Sequence, residues 1–399
     1  MTTFAQYLCT NTCSREQLER FLDPDQPSWA QFDPEVGYVL GNYFPRDGID
    51  GSSTISTVQE NGARSASTYA TRPRRINTYG NSFTQCHQVS DQETWQEYLA
   101  AHLGEPIGNF GMGGFGVYQA YRRLRRTEVT DAGAEYLLLY IWGDDHFRSL
   151  LRCRHVLTNR TWRPADQGMF HGNFWANLEM DLHKGHFVER EALLQTREEA
   201  CKMTDPDFMY EALKDDLMLQ LSLFCRDYIQ EIDTGPLRVL AEILAFDPTP
   251  PAAPDSLKTW VDGLRHAYGF AATRYIVEKT LSFASDNDKK LMIALYCPQA
   301  THQLISSGAR YDQPIADYLR GNAILHFDMN LVHGDDFKCF NLSLEDYMKR
   351  YHIGHYNPAG NHFFAHSIKY PIIEWFDPKP ITYRDDESAT IDFHGYLPE

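Results

Sequence analysis

The chain has 399 residues, 43% of them hydrophobic, enough to bury a large core as two or three domain-sized units or as one domain with insertions. A formal charge of −17, from 54 acidic against 37 basic residues, argues against a surface that tracks nucleic-acid phosphates, so no nucleic-acid partner is expected. No apolar stretch approaches the ~20 residues that span a bilayer, and the opening MTTFAQYLCTNTCSREQ lacks the basic and apolar regions of an export signal, so the expectation is no membrane partner and a cytoplasmic location.

Residues 1–70 are rich in Asp, Pro, Gly and Ser and read as an extended N-terminal arm wrapped over a core. Two cysteines of the arm, Cys9 and Cys13, are spaced like half of a metal site, but no second half follows. The eight cysteines are dispersed along the chain, the pattern of reduced, mostly buried thiols.

From 71 to 152 the texture is that of alternating strands and helices. RRINTYG is a strand, 91–103 an amphipathic helix, PIGNFG a second strand, VYQAYRRLRR a helix, and EYLLLYIW at 135–142 a continuous apolar run of the kind a strand shows when both its faces are covered. This order predicts a parallel sheet between helices. The basic run Arg122, Arg123, Arg125 and Arg126 reads as a solvated helix face.

Residues 153–285 read as an insertion: an antiparallel excursion to about 192, then helices near 207–232, 236–246 and 256–284. The α/β pattern resumes over 286–370, with a strand at 289–297, a helix around 312–320, a strand at 323–331, a charged HGDD loop and a short helix, SLEDYMKRY. Residues 371–399 carry no clear signal.

Open parallel sheets present ligands at the carboxyl ends of their strands. GNSFTQC, NFGMGGFG, GDDHFRS and GHYNPAGN each follow such a strand, so these loops are expected to converge. Ser82, between a strand and a helix, is a candidate nucleophile near free backbone N–H groups, although a serine at that place is also an ordinary helix cap. The glycines of NFGMGGFG suit a turn with outward N–H groups or close strand–helix packing. Histidines 352, 355, 362 and 366 supply a base or metal ligands; without a Cys or acidic third ligand at short spacing, the expectation is no metal and no cofactor.

The order of these loops resembles that of the SGNH (GDSL) hydrolase superfamily over roughly 74–150 and 288–368. Gly80-Asn81-Ser82 is similar to the Gly-Asp-Ser nucleophile block, with Asn in place of Asp. Asn109-Phe110-Gly111-Met112-Gly113-Gly114 matches the Asn-x-Gly-x-x-Gly block, and His355-Tyr356-Asn357-Pro358-Ala359-Gly360 the histidine block. Two positions depart: Trp142-Gly143-Asp144-Asp145 has Asp144 where the family has its oxyanion asparagine, and His352 stands where the family has the aspartate that orients the base.

The resemblance implies a flavodoxin-like three-layer α/β/α sandwich around a central parallel sheet, carrying the N-terminal arm and a mixed β-hairpin and helical insertion. It implies a metal-independent serine esterase in which Ser82 attacks an ester, His355 is the base, and Ser82, Gly114 and the position of Asp144 form the oxyanion hole. Asn81, Asp145, Arg148 and His352 are supporting candidates, and Asp144 is expected to pair with Arg148, the alternatives being a protonated carboxyl that donates a hydrogen bond and a carboxylate that orients His355. The implied substrate is a small-molecule or carbohydrate ester, an O-acetylated sugar being the family-based expectation. Two other readings stay open: an acyltransferase that uses the same Ser–His pair, and a catalytically silent binding protein. MFHGNFW at 169–175 is a candidate pocket wall or an ordinary hairpin, and no oligomeric state follows from the sequence.

Overall fold

The computed structural model describes residues 2–158 and 172–384. Its strands are β1 (Ala30–Asp33), β2 (Gly37–Leu40), β3 (Ile76–Tyr79), β4 (Ile107–Asn109), β5 (Tyr136–Ile141), β6 (Asn177–Asp181), β7 (His186–Arg190), β8 (Lys290–Leu295) and β9 (His326–Asp328). Five of them form a parallel sheet in the order β4-β3-β5-β8-β9. β1 with β2 and β6 with β7 form separate antiparallel hairpins.

The apolar run around β5 occupies the middle of this sheet, and its side chains alternate between two cores. Leu137, Leu139 and Ile141 join Leu291, Ile293 and Leu295 in one. Tyr136, Leu138 and Tyr140 join Met292, Ala294 and Tyr296 in the other. Helices Val117–Glu128 and Pro254–Asp286 pack on the first face; on the second, Trp95–Leu103 lies against Pro358–Trp375, and Met329–Phe337 packs on β8. Burial on both faces explains why β5 and β8 read as unbroken apolar runs rather than alternating ones.

Several elements differ from the sequence expectation. The arm is not extended throughout: Thr3 and Ser14 cap the short helices Phe4–Thr10 and Arg15–Leu22, and Trp29 and Tyr38 of the hairpin region are buried. The basic run is a solvated face only in part: Arg125 is exposed and Arg126 half-buried, but the other two arginines are not. Arg122 and Arg123 are only 7% and 3% exposed. Arg122 pairs with Glu35 at 2.6 Å and Glu191 at 2.7 Å, Arg126 with Asp33 at 2.9 Å, and Arg123 donates to the Gly62 carbonyl at 2.6 Å, so these arginines fasten the arm to the core.

The strand expected at 323–331 is confined to β9, because Asp328 accepts from Asn330 N–H and starts the helix Met329–Phe337. HGDD lies inside that helix rather than in a loop. The helix Pro254–Asp286, at the end of the segment 153–285, leads into β8. All eight cysteines are free. Among the described residues no helix is long and apolar enough to cross a membrane.

Candidate active site

The turn after β3 is shaped by Gly80. Its φ of +152° and its position leave no room for a side chain, since a Cβ there would lie 2.7 Å from the Tyr140 carbonyl oxygen. Asn81 follows as the N-cap of the short helix Ser82–Gln85, its Oδ1 accepting from Phe83 N–H at 2.7 Å. Asn81, not Ser82, therefore caps the helix. Ser82 occupies the first helical position with its hydroxyl free for another partner.

That partner is His355. Ser82 Oγ lies 2.7 Å from His355 Nε2, across 273 residues of sequence. On the far side of the ring, Nδ1 is 2.9 Å from Gln88 Oε1. The Gln88 amide is oriented by its other contacts: Oε1 accepts from the His355 backbone N–H at 2.8 Å, and Nε2 donates to the carbonyls of Asp47 and Ile353 at 3.0 and 3.2 Å. Oε1 can only accept, so Nδ1 carries the proton. Nε2 is then the bare nitrogen that receives the Ser82 O–H.

Gln88 is thus the group that orients the His355 imidazole, and the sequence reading missed it. It comes from the same segment as Ser82 and has a left-handed φ of 73°, as Cys86 does at 61°. Such values are uncommon outside glycine and mark a segment held in place by its surroundings. His352 does not fill this role. Its Nδ1 lies 2.8 Å from the Met348 carbonyl and its Nε2 2.5 Å from the Tyr296 hydroxyl.

The imidazole of His355 packs against Phe83, with ring centroids 5.1 Å apart, and against His87 at 5.0 Å. Burial, together with His87, Arg148 and His352, holds its pKa well below the usual histidine value. His87 in turn faces Asp47, Nε2 to Oδ2 at 3.2 Å. Neither residue carried a signal in the sequence.

The glycine loop after β4 leaves one N–H free. Gly111 N–H donates to Asn109 Oδ1, Met112 N–H to the Gly80 carbonyl, Gly113 N–H to Gln85 Oε1, Phe115 N–H to the Met112 carbonyl and Gly116 N–H to Gln119 Oε1. Gly114, at φ +82°, has no acceptor for its N–H among the described residues, and neither does Ser82. The bond from Met112 to Gly80 ties this loop to the turn that carries Ser82.

The two aspartates after β5 have different surroundings. Asp145 is buried and accepts from Asn81 Nδ2 at 2.5 Å, Trp142 N–H at 2.9 Å and Arg148 Nη1 at 3.0 Å. Burial pushes its pKa up to about 7, against the pull of Arg148 and the other donors. Asp144 has a side chain 44% exposed, with Oδ2 3.7 Å from Arg148 and 3.9 Å from Arg226. It makes no hydrogen bond to Ser82 or Gly114 among the described residues. Arg148 also lies 5.0 Å over the ring of Trp142, which stacks on Phe83 at 5.9 Å.

Histidines 362 and 366 lie on the helix Pro358–Trp375, away from this set, in a surface depression with Tyr98 and Phe363. Among the described residues no three His, Cys, Asp or Glu side chains are grouped to hold a metal ion. Of the 169–175 stretch, residues 169–171 lie outside the described residues, while Phe174 and Trp175 are buried in the first core. No family model matches the chain, and no curated protein matches it.

Proposed function

We propose that the protein is a serine ester hydrolase whose catalytic set is Ser82, His355 and Gln88. The observation that carries this reading is the directed chain from Ser82 Oγ to His355 Nε2 and from His355 Nδ1 to Gln88 Oε1, at 2.7 and 2.9 Å. The sheet order, 2-1-3-4-5 when its strands are counted along the chain, is that of flavodoxin-like doubly wound sheets and accords with the resemblance to SGNH hydrolases.

Ser82 Oγ attacks the ester carbonyl while its proton passes to His355 Nε2. The negative charge on the carbonyl oxygen is received by the N–H groups of Ser82 and Gly114. The tetrahedral intermediate collapses, the bond to the alcohol breaks, and His355 returns the proton to the departing oxygen. Water then attacks the acyl-serine with His355 again as base, releasing the acid and restoring Ser82. Gln88 fixes the productive tautomer, but as a neutral amide it adds no charge to stabilise the imidazolium.

A fluorophosphonate probe, mapped by mass spectrometry, tests the reading. Stoichiometric labelling at Ser82, lost in Ser82→Ala with the fold intact by circular dichroism, is expected together with loss of 4-nitrophenyl acetate turnover. Absence of labelling in the folded wild-type protein would refute the reading and favour a silent binding protein.

A further inference from the structure

Beside the catalytic loops lies a crevice that the mechanism does not use. Arg148, Arg154, Arg226 and Arg265 line it together with Asp144, whose carboxylate is influenced by all four. In a chain of net charge −17, four guanidinium groups around one small space are a local inversion of sign.

Their partners do not balance them. Arg265 is engaged by Asp262 at 2.7 Å and Arg148 by Asp145 at 3.0 Å. Asp144 is shared by Arg148 and Arg226 at 3.7 and 3.9 Å, beyond hydrogen-bond reach of either. Arg154 is only 9% exposed, and among the described residues its Nη1 has no hydrogen-bond partner. A buried guanidinium N–H left unpaired is costly, and a planar oxyanion is the group that best satisfies it. Burial and the neighbouring Arg148 push the Arg154 pKa down to about 10, a sign of unmet positive charge.

The crevice is reachable and adjoins the catalytic loops. The side chains of Arg226 and Asp144 are 33% and 44% exposed, so solvent meets it there. Arg154 neighbours Tyr38, whose hydroxyl donates to the Gly113 carbonyl at 3.2 Å, next to Gly114. Arg148 donates to the Phe115 carbonyl at 3.4 Å. The space measures about 30 Å³. A water needs roughly 10–15 Å³ on this measure, so there is room for about two oxygen-sized groups, which suits a carboxylate better than a four-oxygen phosphate or sulfate.

We propose that this arginine crevice receives a carboxylate carried by the substrate, making the substrate class acidic esters, with the charge on the acyl or on the alcohol side. The binding site stands on its own geometry; its role in substrate selection rests on the esterase reading.

Two measurements separate these layers. Titration of Ser82→Ala protein with succinate, its neutral diamide and inorganic phosphate should show saturable binding of succinate alone, weakened in Arg154→Met and in the part-exposed Arg226→Met. No succinate binding, binding unaffected by both substitutions, or equal binding of phosphate would overturn the carboxylate site. In turnover, mono-4-nitrophenyl succinate places the charge on the acyl side and 4-acetoxybenzoate on the leaving side, each compared with its uncharged counterpart. At least one acidic ester should exceed its counterpart in kcat/KM by about tenfold or more, the size expected of a charge-assisted hydrogen bond. That ratio should fall toward one in both variants; equal rates on acidic and neutral esters would overturn the substrate class. If no ester is turned over, the esterase reading fails, and the succinate titration alone decides the site.

Discussion

His355 Nδ1 lies 2.9 Å from the amide oxygen of Gln88, so a neutral side chain holds the imidazole where a carboxylate does so in the Ser-His-Asp arrangement. The amide supplies tautomer and orientation, but no negative charge to favour the imidazolium.

Removing that amide should mainly affect turnover. Gln88→Ala is expected to lower kcat about ten- to a thousandfold with a smaller change in KM. Gln88→Glu places an anion beside Nδ1, which favours protonated His355, so the acid limb of the kcat/KM profile should move to higher pH. It also sets a carboxylate oxygen against the Asp47 and Ile353 carbonyls, now 3.0 and 3.2 Å from Nε2, at a cost in stability of about 1–3 kcal/mol. A pH–rate series checks both variants; an unmoved acid limb in Gln88→Glu would argue that Gln88 is only structural.

The legibility of this site in the sequence follows from how local each signal is. Ser82 stands beside a strand end and a glycine turn, His355 follows the helix Leu344–Tyr351 rather than the strand expected before it but sits just ahead of the Asn357 cap of Pro358–Trp375, and β5 and β8 announce themselves as apolar runs. Gln88 has no such mark. It is uncharged, sits in a left-handed conformation and acquires its role from a residue 267 positions away. Arg154, Arg226 and Arg265 are likewise scattered, and only tertiary packing gathers them with Arg148. Helix Pro298–Ser307 escaped notice because only Ala300 and Thr301 are buried, leaving no apolar stripe to detect. HGDD looked like a loop because Gly334 and two aspartates are poor helix formers, yet His333 anchors that helix through Tyr347 at 2.9 Å and Tyr356 at 2.7 Å.

The pH profile of the wild-type protein should reflect a depressed base. His355 is held well below 6.5 by burial and neighbouring positive groups, so it stays neutral and competent as the pH falls through that value. The acid limb of kcat/KM is expected below pH 6.5. A limb at or above 6.5, measured with 4-nitrophenyl acetate, would contradict this environment.

Stability should respond to acid through several buried histidines. Burial lowers the pKa values of His87, His146, His155 and His352 from 6.5 to about 4 and holds His333 and His355 well below 6.5. Below 6.5 the unfolded chain takes up protons that the folded chain refuses, so stability contributed by these neutral histidines is lost as pH falls toward 4, with a slope approaching about 1.4 kcal/mol per pH unit for each of them. Asp145, raised to about 7, acts in the opposite sense between its unfolded value near 4 and 7, where rising pH costs stability. Urea unfolding at pH 7.5 and 5.5 measures the balance: Asp145→Asn, which removes the offset, should show the steeper acid loss, and an unchanged slope would refute the assignment.

Gly80 admits no side chain. In Gly80→Ala the new methyl would lie 2.3 Å from Thr84 Oγ1 and 2.7 Å from the Tyr140 carbonyl oxygen, at a φ of +152°. Since Tyr140 belongs to central strand β5, the turn carrying Ser82 must move instead. A loss of about 1–3 kcal/mol in denaturant unfolding, with a fall in kcat, is expected. Wild-type stability in this variant would mean that the turn is looser than the contacts indicate.

The paired aspartates give the sharpest contrast between neighbouring residues. Asp145 gathers three donors at a buried point, and one of them, Asn81 Nδ2, belongs to the cap of the helix that presents Ser82. Asp145→Asn keeps the shape but sets an NH2 group against at least one of those donors, so a buried donor loses its acceptor. The expected cost is about 1–3 kcal/mol in unfolding free energy, with kcat reduced on neutral and acidic esters alike because the turn at Ser82 loses its anchor. Asp144 is half-exposed and meets its arginines only at 3.7 and 3.9 Å. Asp144→Asn should change stability by less than about 1 kcal/mol. It should also raise the preference for acidic over neutral esters, since it removes the carboxylate that competes for Arg148 and Arg226. Paired measurements of unfolding and of the acidic-to-neutral kcat/KM ratio decide the matter. A severe loss of turnover in Asp144→Asn, with Asp145→Asn nearly silent, would exchange the roles assigned to these two carboxylates.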